Sequence, residues 1–232
     1  MELSRRSFLL GSAGASAAVA GGLVLGSPAM AELMERPDGT TVSPKQALAY
    51  LKAGNKRWAA RKPIRKSFVP KGKKAVDGQW PIAAIVGCAD SRVQPDELFD
   101  MAPANLFVAR NAGNVIDDDV LGTLEYGVEH LGVSLIVTLG HSLCGAVKAT
   151  EAVVTGGAMP GGHIDALVEH IKPALLALPK GHSLEEAVDA NAEQSAHLVE
   201  TSSSIIEEAV AAGDLKIIAA TYDLATRKVI WH

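Results

Sequence analysis

The sequence predicts an α/β protein with a mainly parallel central sheet, an antiparallel edge strand and helices on both faces. Three observations carry this. Four short, nearly continuous apolar runs rich in Val and Ile (81–87, 105–109, 133–140 and 215–221) have the pattern of strands buried on both faces. Helical patterns separate them, as crossover connections between parallel strands require. A last short run, 228–231, follows Tyr222 too closely for a crossover helix, so it pairs antiparallel at an edge.

The 232 residues are 48% hydrophobic and 21% charged, with a net charge of −4 and a mean hydropathy of +0.17. That is the composition of a globular chain able to bury a core, and its mild acidity argues against a general nucleic-acid binder. Residues 1–31 are read as a signal outside the fold. Ser4-Arg5-Arg6-Ser7-Phe8-Leu9-Leu10 precedes a Gly/Ala/Ser-rich apolar stretch, which ends in Ala29-Met30-Ala31. This resembles a twin-arginine export signal with an A-x-A cleavage pattern. The expectation is a periplasmic or otherwise exported protein that meets the twin-arginine (Tat) export machinery, with 32–232 forming one domain.

Ser43-Pro44 supplies an N-cap and a first-turn proline for a helix ending near Ala60. Residues 61–74 hold seven Lys or Arg and no acid, broken by Pro63, Pro70 and Gly72, and read as a solvated loop. Further helices are expected over 119–130, behind the acidic start Asp117-Asp118-Asp119, and over 145–155, 164–178 and 183–212.

In such sheets ligands bind beyond the carboxyl ends of the strands. Three segments fall there: Cys88-Ala89-Asp90-Ser91-Arg92, Arg110-Asn111-Ala112-Gly113-Asn114 and Gly140-His141-Ser142-Leu143-Cys144-Gly145. The chain has two cysteines, Cys88 and Cys144. With His141 they make a donor set suited to zinc that leaves a fourth position open, while an oxidising compartment equally suits a disulfide between them. Asp90 and Arg92 favour the metal: a guanidinium two residues from a carboxylate can hold it bidentately and keep it ionised.

Taken together, C-x-D-S-R at 88–92, R-N-A-G-N at 110–114, L-E-Y at 124–126 and G-H-S-x-C-G-A-V-K-A at 140–149 resemble the β-class carbonic anhydrases, over roughly 43–231. The resemblance implies one Zn2+ per subunit held by Cys88, His141 and Cys144, with Asp90 and Arg92 as the catalytic dyad. It implies a substrate cleft with Gln79, Phe107, Tyr126 and Gly145, and a homodimer or higher even oligomer whose cleft draws on two subunits, the helix around Trp58 embracing the partner. The implied activity is zinc-dependent reversible hydration of carbon dioxide to bicarbonate and a proton. CS2 or COS hydrolysis on the same scaffold and a non-catalytic zinc or bicarbonate module are the alternatives. Ile85 stands where the bicarbonate-inhibited branch has Trp, which implies the non-inhibited type. Ala112 replaces a Val found in some members, implying a slightly more open cleft wall, and Arg227 replaces a glycine common after the Tyr222-Asp223 turn, a change expected to touch only the hairpin.

Overall fold

The computed structural model describes residues 42–64 and 76–232. The expected export signal and most of the basic 61–74 stretch lie outside the described residues. Among those described, no helix is long and apolar enough to cross a membrane.

The elements run α1 (Pro44–Ala59), β1 (Ala83–Cys88), α2 (Pro95–Leu98), β2 (Leu106–Asn111), α3 (Asp118–Leu131), β3 (Leu135–His141), α4 (Gly145–Val154), α5 (Ile164–Leu176), α6 (Leu184–Thr201), α7 (Ser204–Ala211), β4 (Lys216–Tyr222) and β5 (Val229–Trp231). The sheet order is β2-β1-β3-β4-β5. β1 to β4 are parallel and β5 is antiparallel to β4, as the apolar runs predicted.

β1 and β3 are buried along their whole length, and alternate residues serve opposite faces. Ala83, Ile85, Val137 and Leu139 face α1, where they pack with Ala47, Leu51 and Phe99. Ala84, Val86 and Ile136 face Val120 and Leu124 of α3, Val199 of α6 and Ile206 of α7. Helices therefore cover both sides.

Local chemistry sets the helix ends. Ser43 caps α1 in a reciprocal box with Gln46, and Ser183 does the same for α6 with Glu186. The Asp117 side chain accepts from the Val120 N–H at the start of α3, and Gly132 ends that helix in the left-handed conformation. Two expectations change. The stretch 183–212 is two helices, not one, because Ser203 turns out of the helix and caps α7 by accepting from the Ile206 N–H. The one-turn α2, opened by Pro95, was not foreseen. Arg227 reaches further than the hairpin: its backbone is left-handed (φ 63°), its carbonyl accepts from Asn55 Nδ2 at 3.0 Å, and its guanidinium donates to the Ala59 carbonyl. Trp58 donates its indole N–H to Tyr222 Oη of its own chain at 3.0 Å.

Candidate metal centre

Cys88 ends β1 and His141 ends the neighbouring parallel strand β3, so both reach the same edge of the sheet. Cys144 follows three residues later as the N-cap of α4. The turn between them is made possible by Leu143, which takes a left-handed φ of 61°, and by Ser142, whose N–H donates to the Tyr222 carbonyl and whose Oγ accepts from the Leu224 N–H. The two sulfurs and a ring nitrogen of His141 lie within 4.8 Å of one another, and all three residues are buried. Both cysteines are free thiols, so the disulfide alternative is not formed.

This donor set fits a metal. The His141 Nδ1 lies 3.0 Å from the Ser142 carbonyl, which fixes the ring proton on Nδ1. The other nitrogen, Nε2, is buried and has no hydrogen-bond partner among the described residues. A buried lone pair beside two sulfurs is costly unless a cation takes it. Cys144 and His141, with the Gly113 and Asp90 N–H groups, pull the Cys88 thiol down to about 4 against the opposing effect of burial. Cys144 is pushed up by the neighbouring Cys88 sulfur and by burial, although the N–H groups of Val147 and Ala146 at the start of α4 favour its thiolate. Two anionic sulfurs this close repel each other, and a divalent cation between them removes that conflict.

Asp90 and Arg92 stand at the mouth. Arg92 donates Nε to Oδ1 at 2.9 Å and Nη2 to Oδ2 at 2.7 Å, and its backbone N–H adds a third bond to Oδ1 at 2.9 Å. This fork holds the Asp90 carboxyl well below the usual carboxylate range. Asp90 Oδ2 sits 3.9 Å from His141 Nε2. Arg110, which no role was assigned from sequence, turns out to brace the loop. It donates Nε to the Cys88 carbonyl at 2.9 Å, Nη2 to the Asp90 carbonyl at 2.7 Å and Nη1 to Gln94 Oε1 at 3.0 Å. Its place in R-N-A-G-N at a strand end was the available signal.

Gly145 opens α4 directly behind Cys144, with an N–H in the unpaired first turn of the helix. The other three expected cleft residues lie elsewhere in this chain. Gln79 is exposed in the segment that enters β1, near Ala104, at the amino end of the sheet. Phe107 pairs with Ala84 in register, and its ring lies 6.3 Å from that of the half-exposed Tyr126. The length of β1 separates the amino end of the sheet from Cys88, about 17 Å at roughly 3.3 Å per residue.

Comparison with known proteins adds an independent line. The family model described as carbonic anhydrase matches residues 83–229. Carbonic anhydrase 2 of Mycobacterium tuberculosis is 41% identical over 185 residues, covering 78% of this chain and 89% of that protein. The carbonic anhydrase of Mycolicibacterium smegmatis is 37% identical over 190 residues, covering 81% and 92%. Among solved structures, the Coccomyxa β-carbonic anhydrase in complex with acetazolamide superposes with a TM-score of 0.63 at 30% identity, covering 76% of this chain and 82% of that one. A tetrameric β-carbonic anhydrase from Sordaria macrospora gives a TM-score of 0.61 at 26% identity, covering 79% and 95%.

Proposed function

Since this chain belongs to the β-class carbonic anhydrase family, we propose that Cys88, His141 and Cys144 hold its zinc ion and that Asp90 and Arg92 work at the position those three ligands leave open. The protein is a carbonic anhydrase, a zinc enzyme that interconverts carbon dioxide and bicarbonate. The observation that carries the site is the convergence of one imidazole and two thiols within 4.8 Å at the carboxyl ends of adjacent strands.

Bound there, zinc is a Lewis acid that makes hydroxide available near neutral pH. The rest is the work of this chain. Asp90, kept ionised by Arg92, accepts a hydrogen bond at Oδ2 from the attacking water and aims its lone pair at the carbon of the substrate. Arg92 also restrains Asp90 by both oxygens, so the carboxylate does not swing in to fill the open position. The Gly145 N–H faces the substrate oxygen from the first turn of α4.

Gln79, Phe107 and Tyr126 complete the cleft from a second copy of the chain. Gln79 precedes β1, and Phe107, beside Tyr126, pairs with Ala84 rather than with Cys88, a placement that supports a dimer whose sites lie between subunits. The description of the Sordaria macrospora relative as tetrameric agrees with such assembly. Residues 1–31 direct twin-arginine export, a reading supported by the Arg5-Arg6 pair and the Ala29-Met30-Ala31 pattern. Hydrolysis of CS2 or COS and a non-catalytic zinc module are not favoured, because the relatives over most of the chain are carbonic anhydrases.

Stopped-flow CO2 hydration by the purified protein, with its zinc content measured on the same sample, tests the reading. A zinc-dependent rate that rises from neutral to alkaline pH is expected. Zinc-containing protein with no rate above buffer at any pH would refute it.

A further inference from the structure

The Gly113 N–H donates to the Cys88 sulfur at 3.4 Å, and the question is what holds that N–H in place. Gly113 lies in the turn after β2, with a left-handed φ of 82°. A Cβ here would sit 2.7 Å from Ile171 Cδ1 and 3.0 Å from Ala146 Cβ, so the backbone is pressed against α4 and α5. Asn111 closes the turn from inside, its side chain accepting from the Val115 N–H at 2.9 Å and donating to the Val115 carbonyl at 2.8 Å.

The outward restraint comes from far along the chain. Asn191 Nδ2 donates to the Gly113 carbonyl at 2.9 Å, and Ser195 Oγ donates to the Asn114 carbonyl at 3.0 Å. Both side chains are buried, on residues 1% and 2% exposed, and stand one turn apart on the same face of α6. Between them, the Ala192 carbonyl accepts from Thr138 Oγ1 of β3 at 2.8 Å, which ties the helix to the strand that ends in His141. α6 can lie this close because Gly140 has no side chain: a Cβ there would meet Val188 Cγ1 at 3.0 Å and Ala192 Cβ at 3.4 Å.

We propose that Asn191 and Ser195 are positioning residues of the metal centre, which grip the carbonyls of Gly113 and Asn114 so that the Gly113 N–H stays on the Cys88 sulfur. An N–H held against a thiolate spreads its charge, fixes the direction of its lone pairs and limits its reactivity. Without the grip, the turn regains freedom about Gly113, and the sulfur loses one of its backbone donors. The inference rests on Cys88 being a zinc ligand.

The test uses full-length protein carrying Asn191→Asp or Ser195→Ala, with Val199→Ala as a control. Val199 is a buried residue of the same helix in the core beneath α3 and α7. Asn191→Asp keeps the shape but places an acceptor against the Gly113 carbonyl. Zinc affinity is read by competition with a chromophoric chelator, and the sulfur-to-metal charge-transfer band is read in the cobalt-substituted protein. Both loop variants are expected to bind zinc about 10-fold more weakly, the lower end of the effect of groups that support a ligand, and to shift the cobalt band. Val199→Ala should lower the melting temperature while leaving band and affinity in place. Unchanged affinity and band in both loop variants would overturn the proposal, as would an equal loss in Val199→Ala. Wild-type protein that binds no zinc would instead overturn the ligand assignment on which it rests.

Discussion

Asp90 and Arg92 are joined by three hydrogen bonds across two residues of chain, two from the guanidinium and one from the backbone N–H. So short a span fixes the carboxylate within its own loop, which Arg110 of β2 braces through the Cys88 and Asp90 carbonyls. Asp90→Asn keeps the shape and removes the ionised hydrogen-bond acceptor. It is expected to retain stoichiometric zinc and to lose about 10²–10³-fold in CO2 hydration, the usual weight of one positioned hydrogen bond at the reacting group. Stopped-flow rates alongside metal analysis check this, and wild-type turnover in the variant would remove Asp90 from the mechanism.

Cys144 sits at the N-cap of α4 and contributes one of three donors. Cys144→Ser replaces a soft ligand by a hydroxyl that stays protonated at neutral pH. The variant is expected to purify without zinc and to fold with the same far-UV circular dichroism. Stoichiometric zinc in it would show that the ligand set is different.

At Gly54, α1 lies directly against the backbone of Phe99. A Cβ at this position would lie 1.7 Å from the Phe99 carbonyl oxygen, a backbone atom that cannot step aside. Gly54→Ala therefore has to push α1 and the Phe99 backbone at the end of α2 apart, even though alanine is the better helix former. The expected cost is about 3 kcal/mol, at the upper end for overpacking, read from the midpoint of urea unfolding. A variant as stable as wild type would mean that α1 is not seated as described.

Both ring nitrogens of His182 meet an acceptor: the Pro179 carbonyl at 2.9 Å from Nδ1 and Glu151 Oε2 at 2.8 Å from Nε2. Satisfying both takes the imidazolium, and the Pro179 carbonyl and Glu151 accordingly raise its pKa above the ordinary 6.5, with Glu186 adding to the effect. The sign follows. Stability from this contact is fully present below the unfolded pKa and fades as pH rises through the higher folded value. The melting-temperature difference between wild type and His182→Asn should be largest in mildly acidic buffer and shrink toward alkaline pH. A difference that is flat, or grows with pH, would contradict the charged lock.

The strand ends were legible because a strand buried on both faces leaves an unbroken apolar run, and Cys88 and His141 stand where β1 and β3 stop. The caps were legible because Ser43, Asp117 and Ser183 act on N–H groups three residues away. What could not be read depends on distant backbone. Arg110 bonds to carbonyls 20 and 22 residues back, and a carbonyl carries no residue identity. Asn191 and Ser195 look like ordinary polar positions of a helix until the turn 78 and 81 residues earlier is placed against them. The partner of His182 does not show in the sequence because Glu151 lies 31 residues earlier, on α4. The one-turn α2 is too short to show a period.

The grip of α6 on the Gly113 turn also sets an order of events during synthesis. A chain emerging from the ribosome presents Cys88, His141 and Cys144 well before α6 and β4 exist, and domains form as their segments become available. Until Asn191 and Ser195 arrive, the Gly113 turn lacks the grip that holds its N–H on the Cys88 sulfur. A chain that stalls or is cut short before α6 therefore carries all three donors but lacks the contacts that steady one of them.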